Sequence, residues 1–312
     1  MRSCVIGSGS YVPERVVTNA DLERMVGTSD AWIMERTGIR ERRAAAEGER
    51  TSDLAAHAAR RALEMAGVRP EDVDLIVLGT VTPDQPTPAT AALVQAKLGA
   101  RRALAFDVSA ACAGALVALS VADQYVRSGA ARYALVIGAD LLTRAVDWTD
   151  RNTCVLFGDA AGALLLAPAA DDEGRGLLST HLHSDGALAG ILSIPHGDTV
   201  KMNGREVFRV AVRTLVAAAQ EALHANGLAR EQVDHVMGHQ ANLRIIEAVM
   251  ERVGLPMERF WLTLDRYGNT SAAAIPMCID EANRAGRLAP GELVLMLAAG
   301  AGFVWGSGVM RW

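Results

Sequence analysis

Aromatic residues are scarce in this 312-residue chain: five Phe, five Trp and four Tyr, 4% of the sequence. A core with so few rings must be closed by aliphatic and small side chains. Half of the residues are hydrophobic, and 29 are glycine. That composition points to closely packed helices and tight turns around one large core or two fused ones. Cysteine is equally sparse. Cys4, Cys112, Cys154 and Cys278 show no metal-type spacing, and a chain of this length needs no disulfide framework. No long basic run is present, and the net charge of −5 argues against a nucleic-acid surface. No apolar run is long enough to span a membrane, and residues 1–7 lack the apolar stretch of a secretory signal. The expectation is a cytoplasmic enzyme with neither membrane nor nucleic acid as partner.

What is present gathers around one cysteine. Cys112 lies in Asp107-Val108-Ser109-Ala110-Ala111-Cys112-Ala113-Gly114. Residues 103–108 read as a buried strand, and residues 111–128 as a small-residue helix stopped by Gly129. Cys112 thus falls where a strand turns into a helix, where free N–H groups and the positive helix end favour a thiolate. On this segment alone, a buried and inert cysteine is the competing reading. Two distant stretches change the balance. His239, in Gly238-His239-Gln240-Ala241-Asn242, follows the strand-like residues 233–237. Asn269, in Gly268-Asn269-Thr270-Ser271-Ala272-Ala273, precedes a second small-residue helix. A cysteine, a histidine and an asparagine at element ends are the parts of a thioester-handling site.

The chain also repeats its own plan. A helix over 52–67 leads to a strand over 73–79, and a helix over 208–227 leads to a strand over 233–238. Further on, Ser109-Ala110-Ala111-Cys112 opens a helix that leads to a strand over 134–138. Ser271-Ala272-Ala273-Ala274 opens one that leads to a strand over 293–297. Two layered α/β halves follow, residues 1–170 and 175–312, divided at the polar stretch 169–176. In this alignment Cys112 corresponds to Ala274, so only the first half carries a nucleophile. Two other motifs read as structural. Gly7-Ser8-Gly9 lacks the third glycine and ribose-binding acid of a dinucleotide fold. His181-Leu182-His183 alternates like a strand and has no third metal ligand nearby.

These stretches, taken together, resemble a known family: the β-ketoacyl-acyl carrier protein synthase III enzymes of the thiolase superfamily. The resemblance runs collinearly through residues 32–43, 109–114, 151–162, 203–210, 238–246, 269–273 and 300–307. It implies a thiolase-like α/β fold of two duplicated βαβαβ-type halves in an α-β-α-β-α layered arrangement. Cys112 would take an acyl group from acyl-CoA, the substrate, with no separate cofactor and no metal. His239 and Asn269 would hold the carbonyl of a malonyl-acyl carrier protein while carbon dioxide leaves. The backbone N–H groups of Cys112 and Ala301 would form the oxyanion hole. Trp32 and Arg36, four apart on a short helix opened by Ser29 or Asp30, would clasp the adenine of CoA, with Arg151 assisting at its phosphates. Arg209 and Arg244 match positions that dock the acidic carrier, while a neighbouring basic pair is replaced by Glu251 and Arg252. A homodimer is implied.

Three positions depart from the family's usual phenylalanines: Thr87, Ala115 and Ala299. Small residues there, and a short segment between Leu192 and Met202, imply a larger or differently shaped acyl pocket. The loss of the ring at Ala299 bears on decarboxylation. The alternative function is an acyltransferase on the same scaffold, passing a bulky acyl group to an alcohol or amine.

Overall fold

Glycine and alanine set how near the layers of this protein approach one another. The computed structural model describes residues 2–169 and 174–312. The chain opens with strand β1 (Arg2–Tyr11), followed by β2 (Arg15–Thr18) and β3 (Glu41–Ala44), which pair with each other and bracket helices α1 (Asn19–Met25) and α2 (Asp30–Thr37). Next come α3 (Thr51–Ala66), β4 (Leu75–Gly79), α4 (Thr90–Leu98), β5 (Leu104–Val108), α5 (Gly114–Arg127), β6 (Ala134–Leu141) and β7 (Asp159–Ala169). Five of these strands form a sheet in the order β1-β7-β6-β4-β5. Helix α3 lies on it through Leu54, Leu63 and a row of buried alanines. The approach depends on Gly7 and Gly9 in β1: a Cβ on either would lie 2.2 Å from a carbonyl oxygen of α3. Gly7-Ser8-Gly9 is therefore a packing motif.

The second half begins with β8 (Gly176–Ser184) and a small hairpin of β9 (Leu192–Ser193) and β10 (Lys201–Met202). Then follow α6 (Gly204–Ala225), β11 (His235–Gly238), α7 (Leu243–Val253), α8 (Leu264–Tyr267), α9 (Ala274–Arg284), β12 (Leu293–Gly300) and β13 (Val304–Arg311). Its sheet runs β8-β13-β12-β11. Strand for strand this repeats the first sheet, since β6 and β12 each pair parallel on one side and antiparallel on the other. Where the first sheet adds β5, the second has only a parallel bridge between Val236 and Phe260. Helices α5 and α9 fill the space between the sheets with Leu116, Leu119, Ile275 and Ile279. Each such aliphatic side chain, fully buried, is worth about 1.5–3 kcal/mol. Helices α6 and α7 cover the outer face of the second sheet with Val210, Leu215, Ile246 and Val249. The result is a thiolase-like α-β-α-β-α stack.

Two expectations need correction. Strand β5 is an edge strand of its sheet, not a buried one, and Leu104 is 53% exposed. Cys112 is not equivalent to Ala274. Each central helix is preceded by a three-residue 3-10 turn, Ala111–Ala113 before α5 and Ser271–Ala273 before α9. Both turns open on a non-glycine residue at positive φ, Ala111 at 46° and Ser271 at 51°. The counterpart of Cys112 is therefore Ala272, because the extra turn displaces both helix starts by the same amount. The polar stretch 169–176 lies partly outside the described residues, over 170–173. No described helix is long and apolar enough to cross a membrane.

Candidate active site

The 3-10 turn places Cys112 at the meeting of the two halves. Gly300, the last residue of β12, passes so close that a Cβ there would lie 2.5 Å from the Cys112 nitrogen. The chain then turns through Ala301 and returns as β13, which brings Ala301 onto the same cavity as Cys112. Residue 111 at positive φ is a strained conformation for alanine, of order 1–3 kcal/mol. The sulfur accepts a hydrogen bond from the Ser271 hydroxyl at 3.4 Å. Helix-end N–H groups led to the expectation of a thiolate. Burial wins instead: it pushes the Cys112 thiol up to about 12, with the Asp140 carboxylate adding to the rise and Ser271 opposing it.

His239 follows β11 directly, and its backbone N–H continues the ladder to the Leu297 carbonyl at 2.8 Å. Burial lowers its imidazole to about 4, so the ring is neutral and one nitrogen carries a proton to donate. Its Nδ1 has no hydrogen-bond partner among the described residues. Asn269 is held at both ends of its backbone: its N–H donates to Leu156 O at 2.8 Å, and its carbonyl accepts from Gly158 N at 3.1 Å. Its Oδ1 accepts from Ser271 N at 2.9 Å, which leaves the amide N–H groups as the donors the side chain can offer.

Cys112, His239 and Asn269 line one narrow cavity of about 140 Å³, together with Ala299, Phe303 and residues of α6. A second cavity of about 460 Å³ opens on the other side of the sulfur, walled by Thr80, Val81, Leu142, Ile194 and Val200. Cys112, Phe157 and Leu192 border both. A nucleophile between two chambers, facing a neutral imidazole and an amide, can exchange an acyl group with one ligand and pass it to another.

Models of the 3-oxoacyl-[acyl-carrier-protein] synthase III family match residues 106–186, and of its C-terminal part residues 223–312. A β-ketoacyl-[acyl-carrier-protein] synthase III of Paramagnetospirillum magneticum is 52% identical over 321 residues, covering 100% of this chain and 99% of its own. The chain belongs to this family. The 3-oxoacyl-[acyl-carrier-protein] synthase III crystal structure from Aquifex aeolicus is 45% identical, with a TM-score of 0.97 over 99% of this chain and 100% of the other. The priming β-ketosynthase of a polyketide pathway is 37% identical, with a TM-score of 0.93 over 99% and 96%. As a synthase III, the protein is a condensing enzyme of the acyltransferase type.

The structure distributes the remaining candidates of this synthase III unevenly. Trp32 sits on α2, capped by Ser29, and its indole carries two guanidinium groups: Arg36 at 4.9 Å and Arg151 at 5.1 Å from the ring centroid. Arg151 thus faces the indole directly, besides donating to Gly27 O at 3.0 Å. Arg209 on α6 is paired with Glu206 at 2.6 Å, and Arg244 on α7 with Glu35 at 3.5 Å. Both are exposed, so these pairs contribute little stability and open readily to another acid. On α6, Arg205 and Arg213 are exposed one turn to either side of Arg209.

Of the expected wall residues, Ala115 is off the wall, and Thr87 belongs to a segment expected to reach the pocket across a dimer. Ala115 is buried, and its Cβ lies under β6 against Gly138, because the first turn of α5 directs it at the sheet. Thr87 is exposed and borders neither cavity of its own chain. Ala299 does line the narrow cavity, where Phe157, Phe208 and the buried Phe303 supply rings. The short segment after Leu192 is the β9–β10 hairpin that closes both chambers.

Several supporting residues had no sequence signal. Arg42 is fully buried; burial lowers it to about 10, and it spends its donors on Val17 O, Asn19 Oδ1 and Val155 O at 3.2, 2.9 and 2.8 Å. The last bond fixes the segment that holds Asn269. Gln240 does the same beside His239: its Oε1 accepts from Thr263 N and Leu264 N, both at 2.9 Å, and its Nε2 donates to Trp261 O at 2.8 Å. Only a polar residue next to His239 hinted at it. His181 and His183 lie on β8, with His183 paired to Glu221 at 2.6 Å and stacked on Trp305.

The depressed imidazole has a direct readout. In a pH titration followed by NMR, His239 is expected to protonate near pH 4, not near 6.5. The unfolded chain takes up that proton near 6.5, so this residue costs the fold nothing above that pH. It lowers stability progressively between 6.5 and 4. A midpoint at or above 6.5 would contradict the dry, neutral site.

Proposed function

We propose that the protein primes fatty-acid or polyketide chains. Cys112 takes an acyl group from acyl-CoA, and the acyl-enzyme condenses with malonyl-acyl carrier protein as carbon dioxide leaves. The observation that carries this reading is the placing of Cys112, His239 and Asn269 on one cavity, with a separate chamber behind the sulfur. In the first step the Cys112 S–H bond breaks and a sulfur–carbonyl bond forms. The C–S bond to CoA breaks, and the CoA thiolate takes up the proton. In the second step the malonyl C–CO2 bond breaks, and its electron pair passes into an enolate whose oxygen faces the His239 and Asn269 donors. Two preset donors in a dry site suit that charge. The carbanion then forms a bond to the acyl carbon and displaces the Cys112 sulfur, which takes up a proton from solvent and returns to the thiol. Both steps run on side chains and the backbone N–H groups of Cys112 and Ala301, with acyl-CoA as substrate, in the cytoplasm.

The nucleotide of CoA fits between Trp32 and a guanidinium. Arg36 is fixed one turn away on the same helix, whereas Arg151 comes from a distant loop and is the arm that can swing to admit a flat base. Arg209 and Arg244, flanked by Arg205 and Arg213, suit the acidic carrier.

Three measurements test these assignments. Intact-protein mass spectrometry after incubation with acyl-CoA should show an adduct that Cys112→Ala abolishes. His239→Ala and Asn269→Ala should keep at least part of the self-acylation while malonyl decarboxylation falls about a hundredfold or more. Loss of acylation alone, with decarboxylation intact, would reverse the roles.

A cavity of about 460 Å³ is far larger than an acetyl group needs. Each further buried methylene is worth about 0.8 kcal/mol, roughly fourfold in specificity. Medium-chain, branched or cyclic acyl-CoAs should acylate Cys112 faster than acetyl-CoA, and acetyl-CoA emerging as the best donor would refute this. The chamber is also open beside the edge strand β5 and the exposed Thr87 loop, where a second copy of the chain would close it. Light scattering should give the mass of two chains; a monomer at micromolar concentration argues the other way.

A further inference from the structure

Asp140, one residue from the end of β6, is a fully buried carboxylate that the condensing chemistry does not use. Its Oδ1 accepts from Thr80 Oγ1 at 3.0 Å, Val81 N at 2.8 Å, Thr82 N at 3.3 Å and Thr82 Oγ1 at 3.1 Å. Thr80 and Val81 are walls of the larger chamber. Its Oδ2 accepts from Ala272 N at 3.4 Å, in the turn of the other half. The Ser271 hydroxyl also reaches this carboxylate. Burial pushes the Asp140 carboxyl up, while the backbone N–H and hydroxyl donors pull it back. Backbone N–H groups can only donate, so they favour the anion.

Ser271 is therefore within reach of two acceptors, the Asp140 carboxylate and the Cys112 sulfur at 3.4 Å. A hydroxyl has one proton to give. Its backbone, at φ 51°, is held in a region that a serine rarely adopts, and such strain concentrates at functional sites. The titratable groups around the sulfur are Asp140 on β6, His239 after β11 and, across the chamber, Asp107 on β5. Asp107 is already committed to Thr90 N and Ala91 N, both at 2.7 Å.

We propose that Ser271 is a catalytic donor to the Cys112 sulfur and that Asp140 opposes it, competing for the same hydroxyl proton and repelling negative charge on the sulfur. In the resting enzyme the hydroxyl lies 3.4 Å from the sulfur while the carboxylate draws on the same proton, and Cys112 stays a thiol. When the sulfur gains charge, as it attacks acyl-CoA or as the carbanion expels it, the hydroxyl commits fully to the sulfur. The hydroxyl keeps its own proton throughout; the thiol proton leaves with CoA. The inference rests on Cys112 being the acyl-accepting nucleophile, but alkylation of the sulfur needs no acyl donor and tests it separately.

The experiment is the rate of iodoacetamide alkylation of Cys112, assigned by peptide mass spectrometry from neutral to alkaline pH. Ser271→Ala removes the donor, and Ser271→Gly removes it while relaxing the positive φ. Both should slow alkylation about tenfold at neutral pH, moving the profile up by about one unit, the worth of one hydrogen bond to a charged atom. Asp140→Asn, with Asp140→Ser as a second charge-removing variant, should do the opposite: faster alkylation and a profile moved down. A site that is merely loosened moves both sets in the same direction, which would overturn the proposal. So would an unchanged profile in either set. If the opposite shifts appear and self-acylation by acyl-CoA is nevertheless absent from the native enzyme, the proposed function fails and the Ser271–Asp140 pairing stands.

Discussion

Backbone meets backbone where the two halves of this protein join, and everything at the site depends on that contact. A Cβ on Gly138 would lie 2.1 Å from the Ala272 carbonyl oxygen, and one on Gly300 2.5 Å from the Cys112 nitrogen. No residue larger than glycine fits at these crossings. Because the strands carry no side chain there, the two 3-10 turns can lie directly on them, and Cys112 and Ser271 come within hydrogen-bonding distance. The scarcity of aromatics and abundance of small residues are the compositional trace of this junction.

The same closeness sinks the site between the layers, and desolvation is the largest influence on both titrating residues of the site. It drives Cys112 up to about 12 and His239 down to about 4. Each shift disfavours charge in the resting state. The site is thus a pair of neutral groups surrounded by donors, and charge appears in it only as bonds change. The two halves differ at the site itself. Equivalent turns carry cysteine in one half and alanine at 272 in the other, and the second half contributes the histidine and asparagine instead.

Around this centre the layers are tied together by side-chain hydrogen bonds. Arg42 ties the β2–β3 region to the segment that fixes Asn269, and through Asn19 it reaches Asp30 at the start of the Trp32 helix. Asn242, which caps α7 just after His239, donates to the Arg36 carbonyl at 2.9 Å. The Trp32 helix is thereby bonded to both the histidine and asparagine sides of the site.

The sequence by itself determined the elements and singled out a cysteine, a histidine and an asparagine that the fold brings to one cavity. Period and punctuation located the helices around 52–67 and 208–227 to within a few residues, because glycine stops and apolar faces are local properties. Cys112, His239 and Asn269 were legible because each ends a strand or opens a helix. Tertiary structure alone decided the rest. Whether Ala115 faced a pocket or a strand depended on a 3-10 turn that displaces the start of α5. Whether Cys112 rested as thiolate or thiol depended on its burial and on a carboxylate 28 positions away in the chain. Ser271, Asp140, Arg42 and Gln240 act through contacts between segments far apart, and such contacts leave no pattern in neighbouring residues. Local sequence fixes local geometry; desolvation and long-range hydrogen bonds exist only once the two halves have closed on each other.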